Sequence, residues 1–140
     1  VLYNNGEMKP FAADEFAVSE EAAKGILNVW SFGPALLDAD GGRKTSFDTT
    51  VAEENPRTAI GYYEPGHYCI VIVNGRGTEG SRGYTMSQLS ALFEELGCAA
   101  AYNLDGGRSS VMAWDCGSSL VNSPASGGRP VCDIIYIPKE

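Results

Sequence analysis

The chain is predicted to adopt an α+β fold: a mixed, mostly antiparallel sheet covered on both faces, with one main helix over residues 85–96 and a short one over residues 19–25. Three observations predict it. Two apolar runs, residues 58–63 and 68–73, are joined by Glu64, Pro65, Gly66 and His67, whose proline and glycine suit a turn. Thr85, Met86, Ser87 and Gln88 form a capping-box pattern, followed by Leu89, Leu92, Phe93 and Leu96 at helical spacing and closed by Gly97. A further apolar run, residues 99–104, stops abruptly at Asp105, Gly106 and Gly107.

Taken in order, Val1, Leu2 and Tyr3 form a strand ahead of a tight turn at Asn4, Asn5 and Gly6. The short helix has Ser19 as its N-cap, Glu20 and Glu21 in its first turn and Gly25 at its close. Residues 26–32 are strand-like up to Gly33 and Pro34, and residues 35–37 resume the strand. Asp38, Asp40, Gly41 and Gly42 invite a calcium reading, but a third acidic ligand and the bidentate glutamate of an EF-hand loop are missing, so no metal is assigned.

The two central runs read as a hairpin. A four-residue loop places Tyr63 opposite Tyr68 and Arg57 opposite Asn74, with Arg76 two residues further on the same face, so that two guanidinium groups converge at the open end. Arginines brought together beside an asparagine suit an anion, whereas a register slip of one residue would part them. In this register Ile60, Val71 and Val73 share one face and Ala59, Ile70 and Ile72 the other, which is why both faces need cover. Residues 111–114 read as the next strand. Residues 131–137 read as a β-rich, central last strand, with Asp133 inside it in need of a backbone amide or arginine partner.

At 140 residues and 44% hydrophobic content the chain reads as a single domain, 1–140, without a linker. Its 17 glycines lie between apolar runs at no fixed period, which indicates many turns. The net charge of −8 and the lack of a basic cluster exclude a nucleic-acid partner, because no cationic stripe is there to displace counterions. No apolar run is long enough for a membrane span, and the first residues do not resemble a signal peptide. The chain opens on Val1 rather than Met, which suggests a processed product and leaves room for a lost export signal. Cys69, Cys98, Cys116 and Cys132 show no paired metal spacing; they permit two disulfides, and Cys69 and Cys132 also fit buried apolar positions. His67, the one histidine, lies in a turn, so neither a Ser-His-Asp triad nor a histidine metal site is supported, and no cofactor is expected.

Chemistry concentrates in residues 102–110. Gly106 and Gly107 let the backbone take positive φ or approach a ligand, Asp105 can serve as acid, base or anchor, and Asn103, Ser109 and Ser110 can hydrogen-bond substrate. Asp-Gly is also the commonest hairpin signal, so the same residues taken alone fit a turn.

An ordered set of motifs gives this segment its context: Asn55, Pro56 and Arg57 with Gly61; Asn74, Gly75 and Arg76; Thr85 and Met86 with the helix to Cys98; Asn103 to Gly107; Asn122, Ser123 and Pro124; and Arg129, Pro130 and Val131. In this order they resemble the phosphodiester glycosidase family over residues 55–137, with a looser match at Phe32, Gly33 and Pro34. The resemblance implies removal of a sugar from a sugar-1-phosphodiester in extracellular or cell-envelope glycans, by a protein that is secreted or held in the cell envelope. It implies that Arg57 and Arg76 hold the phosphodiester anion. Asp105 would then be the catalytic acid, base or stabiliser of an oxocarbenium-like transition state, with Asn103, Asn122, Gly106 and Gly107 orienting the sugar. Asn74, Ser109 and Arg129 complete the expected substrate-binding set.

The chain departs from the family at Arg108, where a third glycine is usual, at Asn74, where an aspartate is usual, and at Asp133, where an asparagine is usual. The family's upstream glycine- and aromatic-rich strand has no counterpart here, so the chain reads as the C-terminal part of such a domain or as a reduced member with an incomplete site. Its expected partners are a glycan or sugar phosphodiester and either the missing N-terminal segment or an oligomer partner. Two other readings stand beside this one: a module that binds anionic saccharides without cleaving them, and a structural envelope domain over whose surface Arg57, Arg76 and Asp105 would be scattered.

Overall fold

The computed structural model describes residues 1–115 and 118–138. Its centre is a three-stranded antiparallel sheet in the order β4-β3-β5, formed by β3 (Arg57–Glu64), β4 (His67–Val73) and β5 (Ala100–Asn103). The helix α2 (Met86–Glu95) joins β4 to β5, and a short helix, α1 (Val18–Ala23), precedes it in the chain. The α+β prediction holds. A two-stranded ribbon of β1 (Leu2–Tyr3) and β2 (Ile26–Asn28) lies before the sheet in sequence, and a second ribbon of β6 (Ala113–Trp114) and β7 (Ser119–Leu120) lies after it.

Sequence and structure agree on the chemistry of α2. Thr85 accepts from the Gln88 N–H at 3.2 Å while the Gln88 side chain accepts from the Thr85 N–H at 2.8 Å, the reciprocal box that satisfies two otherwise orphaned donors. Helical spacing then puts Met86, Leu89 and Phe93 on one buried face, which packs with Leu36, Leu37, Ala59 and Ala101. On the other face of the sheet, Ile60 and Leu104 pack with Met8, and Trp30, Tyr102 and Ile135 cover them. Both faces are therefore covered.

The hairpin register differs from the predicted one. Arg57 pairs with Val73 and Tyr62 with Tyr68, because a bulge between Tyr62 and Glu64 takes one residue out of the ladder while the tip still closes at Glu64 and His67. The extra residue, Tyr63, packs on the α2 side and stacks on His67 with ring centroids 4.3 Å apart. A slip of one residue turns a strand over relative to its neighbour. Hence Ala59 shares its face with Val71 and Val73, and Ile60 with Ile70, in place of the predicted grouping.

Three further expectations are corrected. The short helix begins two residues earlier than predicted, with Ala17 as N-cap, since the Glu21 N–H already donates to the Ala17 carbonyl at 3.0 Å; Ser19 lies inside it. Of residues 26–32 only Ile26–Asn28 pair, and of residues 111–114 only Ala113–Trp114. Residues 131–137 form no strand: Ile134, Tyr136 and Ile137 are exposed, and so are Cys132 and Asp133, which removes the need for a buried partner. The outer side of β5 is already occupied, by Gly33, Pro34 and Leu36, which exchange main-chain hydrogen bonds with Asn103 and Ala101. Cys116 lies outside the described residues. No helix among the described residues is long and apolar enough to cross a membrane.

Since the cap of α2 rests on Thr85, Thr85→Ala is expected to lower unfolding stability by about 1 kcal/mol, read as a reduced urea midpoint at unchanged slope. An unchanged midpoint would show that tertiary packing alone holds the helix start.

Candidate functional site

The site is built where β5 leaves the sheet. The ladder between β5 and β3 runs on to Leu104, whose N–H donates to the Thr58 carbonyl at 2.8 Å, and resumes at Gly107, whose N–H donates to the Pro56 carbonyl at 2.9 Å. Asp105 and Gly106 span the gap between these two bonds. A Cβ on Gly106 would stand 2.6 Å from the Pro56 carbonyl oxygen, so only glycine allows the strand exit to lie this close to the start of β3. Residues Gly107–Ser109 then form a 3-10 turn that bends the chain away.

A cavity of about 270 Å³ opens here, walled on its apolar side by Phe32, Val51 and Leu104. Four of the chain's six arginines line it, Arg57, Arg76, Arg108 and Arg129, against a single lining carboxylate among the described residues, Asp105. In a chain of net charge −8 this is a strong local reversal of sign.

The four arginines do not play one role. Arg57 is almost fully buried and its guanidinium is committed: Nε donates to the Tyr84 carbonyl at 2.8 Å, and Nη2 donates to the carbonyls of Val51, at 2.8 Å, and Glu53. Burial lowers its pKa from the ordinary arginine value, and these carbonyls compensate its lost hydration. Arg108 places Nε and Nη2 at 2.9 and 2.6 Å from the Gly128 carbonyl and so ties the Gly107–Ser109 turn to the Ala125–Gly127 turn.

Arg76 and Arg129 are exposed and differently held. Arg76 has φ 55°, a conformation that costs a non-glycine residue about 1–2 kcal/mol, and its Nη2 rests 3.2 Å from Asn55 Oδ1. The same nitrogen lies 3.1 Å from where a Cβ on Gly107 would stand, so the guanidinium lies over the glycine backbone. Arg129 Nε donates to Ser109 Oγ at 2.5 Å and its Nη2 donates to Asp105 Oδ2. The Asp105–Arg129 pair is about half exposed on both sides.

Asn103 is 1% exposed and nearly consumed by its neighbours. Its N–H donates to the Pro34 carbonyl, its carbonyl accepts from the Gly33 N–H, and its Nδ2 donates to the Gly33 carbonyl at 2.7 Å. Oδ1, in a residue that lines the cavity, is the one buried side-chain polar atom left without a partner among the described residues. A ligand hydroxyl or amide N–H would satisfy it.

Of the residues expected from sequence, the structure gathers Arg57, Arg76, Asn103, Asp105, Gly106, Gly107 and Arg129 around the cavity. Asn74, Asn122 and Ser109 do not line it. Asn74 Nδ2 donates to Glu79 Oε2 at 2.8 Å, Asn122 Nδ2 donates to Asn74 Oδ1 at 3.3 Å and to the Ser110 carbonyl at 2.9 Å, and Ser123 Oγ donates to Glu79 Oε1 at 2.5 Å. These four side chains brace the loops behind the cavity, while Ser109 acts through Arg129. Sequence reasoning missed Val51 and the part played by Glu79. Glu79 sits at φ 51°, and a left-handed glutamate carries no signal in the sequence. Among the described residues, no three or more of His, Cys, Asp or Glu are grouped to hold a metal ion.

Comparison with known proteins places this arrangement. A solved structure from Synechocystis, a hypothetical protein, superposes with a TM-score of 0.55 at 25% identity over 69% of this chain and 18% of that one. The catalytic domain of zebrafish N-acetylglucosamine-1-phosphodiester alpha-N-acetylglucosaminidase, auto-inhibited by its pro-peptide, gives a TM-score of 0.47 at 28% identity over 59% of this chain and 25% of that one. The SPbeta prophage-derived uncharacterized protein YomE of Bacillus subtilis (strain 168) is 34% identical over 98% of this chain. The chain spans 21% of the length of that relative. The family model described as phosphodiester glycosidase matches residues 4–138, which takes in every element around the cavity from Phe32 to Arg129, and the chain belongs to that family.

Proposed function

We propose that this chain carries the anion-binding part of the active site of an enzyme that hydrolyses, or transfers, a sugar from a glycosyl-1-phosphodiester in extracellular or cell-envelope glycans. The observation that carries the reading is the cavity in which arginines and one carboxylate meet beside an unpartnered Asn103 Oδ1. A phosphodiester is an anion bonded to a polyhydroxylated ring. Arg76 and Arg129, the two cavity guanidinium groups not committed to main-chain carbonyls, suit its charge. Asn103 Oδ1 suits a ring hydroxyl or an acylamino N–H.

In this reading the arginines stabilise the phosphate monoester as it leaves, so proton donation to the leaving oxygen matters less than in hydrolysis of an ordinary glycoside. Arg129 exchanges part of its contact with Asp105 for the incoming anion. Asp105, as a carboxylate, then faces the anomeric centre, where it activates water or stabilises oxocarbenium character. Phe32, Val51 and Leu104 exclude bulk water and strengthen these charge interactions. Arg57 serves the site from beneath, holding Val51, Glu53 and Tyr84 around the start of β3.

A second reading, a module that binds such an anion without cleaving it, is favoured by one observation: Asp105 is the one carboxylate among the described residues lining the cavity, whereas ordinary glycoside cleavage uses two. Calorimetry alongside an assay for free sugar separates the two, since the module binds a hexose-1-phosphodiester and yields no product.

Two outcomes follow. Asp105→Asn is expected to lower the rate of sugar release by about 100-fold or more while the protein still binds the diester; an unchanged rate removes Asp105 from the chemistry. Arg76→Gln is expected to raise the dissociation constant about tenfold or more with little change in unfolding midpoint, while Arg57→Met is expected to lose about 3 kcal/mol of stability, because three part-buried carbonyls lose their charged donor. Chemical denaturation and calorimetry on both variants check this split, and the reverse pattern would exchange the two roles.

A further inference from the structure

We propose that Cys69 and Cys98 are a disulfide-forming pair that closes over Gly61 and locks the sheet to the end of α2. The two thiols come from different elements, Cys69 from β4 and Cys98 from the turn after α2, and their sulfurs lie 3.8 Å apart. They converge on one point. Gly61 pairs with Cys69 across one side of β3 and with Ala101 across the other, and a Cβ on Gly61 would stand 2.7 Å from both sulfurs and from the Phe93 ring. A glycine at the middle of a central strand weakens it unless something needs the space. Here the space is filled by the two sulfurs and the Phe93 ring, with Tyr63 packed in the same cluster.

A bond of about 2.05 Å requires the two sulfurs, now 3.8 Å apart, to close the remaining distance by side-chain rotation. The oxidant is a small-molecule disulfide such as oxidised glutathione. Cys69, half-buried, is the accessible sulfur: as a thiolate it attacks the small disulfide, forms a mixed disulfide and expels one thiol. Cys98, buried, loses its proton and attacks the Cys69 sulfur, expelling the second thiol. Two electrons and two protons thus pass to the small disulfide, and one S–S bond is made for one broken. Burial pushes the Cys98 thiol up to about 11, which suits a resolving sulfur that reacts only when a partner is already in contact. The bond would close a loop between positions 29 residues apart and tie the outer strand β4 to the chain that enters β5, the strand that delivers Asn103 and Asp105.

The test uses protein in which Cys116→Ser and Cys132→Ser remove the other two thiols. Treatment with oxidised glutathione is expected to remove two hydrogen masses, to give a peptide joining positions 69 and 98, and to raise Tm by about 10 °C, reversed by dithiothreitol. Adding Cys69→Ser should abolish all three effects. If that protein does not fold, peptide mapping of the unsubstituted protein decides: a 69–98 link supports the pair, and links to 116 or 132 in its place overturn it. Two alkylatable thiols after oxidation, or a stable glutathione adduct on Cys69 with Cys98 still free, would equally overturn it.

Discussion

The architecture depends on the close approach of the exit of β5 to the first residues of β3. Two hydrogen bonds, from Leu104 to Thr58 and from Gly107 to Pro56, hold the chain on either side of Asp105, and Gly106 fits against the Pro56 carbonyl where a Cβ could not. This contact puts a carboxylate at the edge of a sheet whose next residue along β3 is the buried Arg57. It also fixes the surface on which the other cations gather. Arg76 lies over Gly107, Arg129 reaches both Ser109 and Asp105, and Arg108 pins the following turn.

A cation-lined cavity in an acidic chain has to be kept from collapsing on its own carboxylates. The structure divides the task. Arg57 and Arg108 have main-chain carbonyls as partners, dipoles that neutralise them without supplying a competing full charge. Arg76 is steadied by the neutral Asn55, and Arg129 alone pairs with an acid, at half exposure where an anion can compete for it. Behind the cavity, Asn74, Asn122, Ser123 and Glu79 satisfy one another and hold the loops that present these side chains.

Much of this was legible in the sequence because it is local. The capping box, the helical spacing to Phe93 and the Pro65-Gly66 turn each rest on neighbouring residues, and each appears in the structure. The exit at Asp105 was legible because an apolar run ended in glycines. Two features were not. The bulge at Tyr63 depends on the tertiary contacts of one side chain, and it reversed the pairing of faces; Arg57 itself is buried beside Ala59, away from the anion-facing role expected of it. Residues 131–137 have a strand-like composition, but composition does not fix a partner, and the outer side of β5 is taken by Gly33, Pro34 and Leu36. Family order was a better guide than register to which residues meet, since it gathered Arg129 with Asp105 although 24 positions separate them.

The central claim is that Arg76 and Arg129 hold a phosphodiester anion with its sugar turned toward Asp105 and Asn103. A crystal structure with a non-hydrolysable phosphonate analogue of a hexose-1-phosphodiester tests it directly. The account predicts the phosphonate oxygens within hydrogen-bond distance of both guanidinium groups, the Asp105–Arg129 contact loosened, and a ring hydroxyl or acylamino N–H on Asn103 Oδ1. A phosphonate bound outside this cavity, or one inside it that leaves Arg76 and Arg129 untouched, would contradict it.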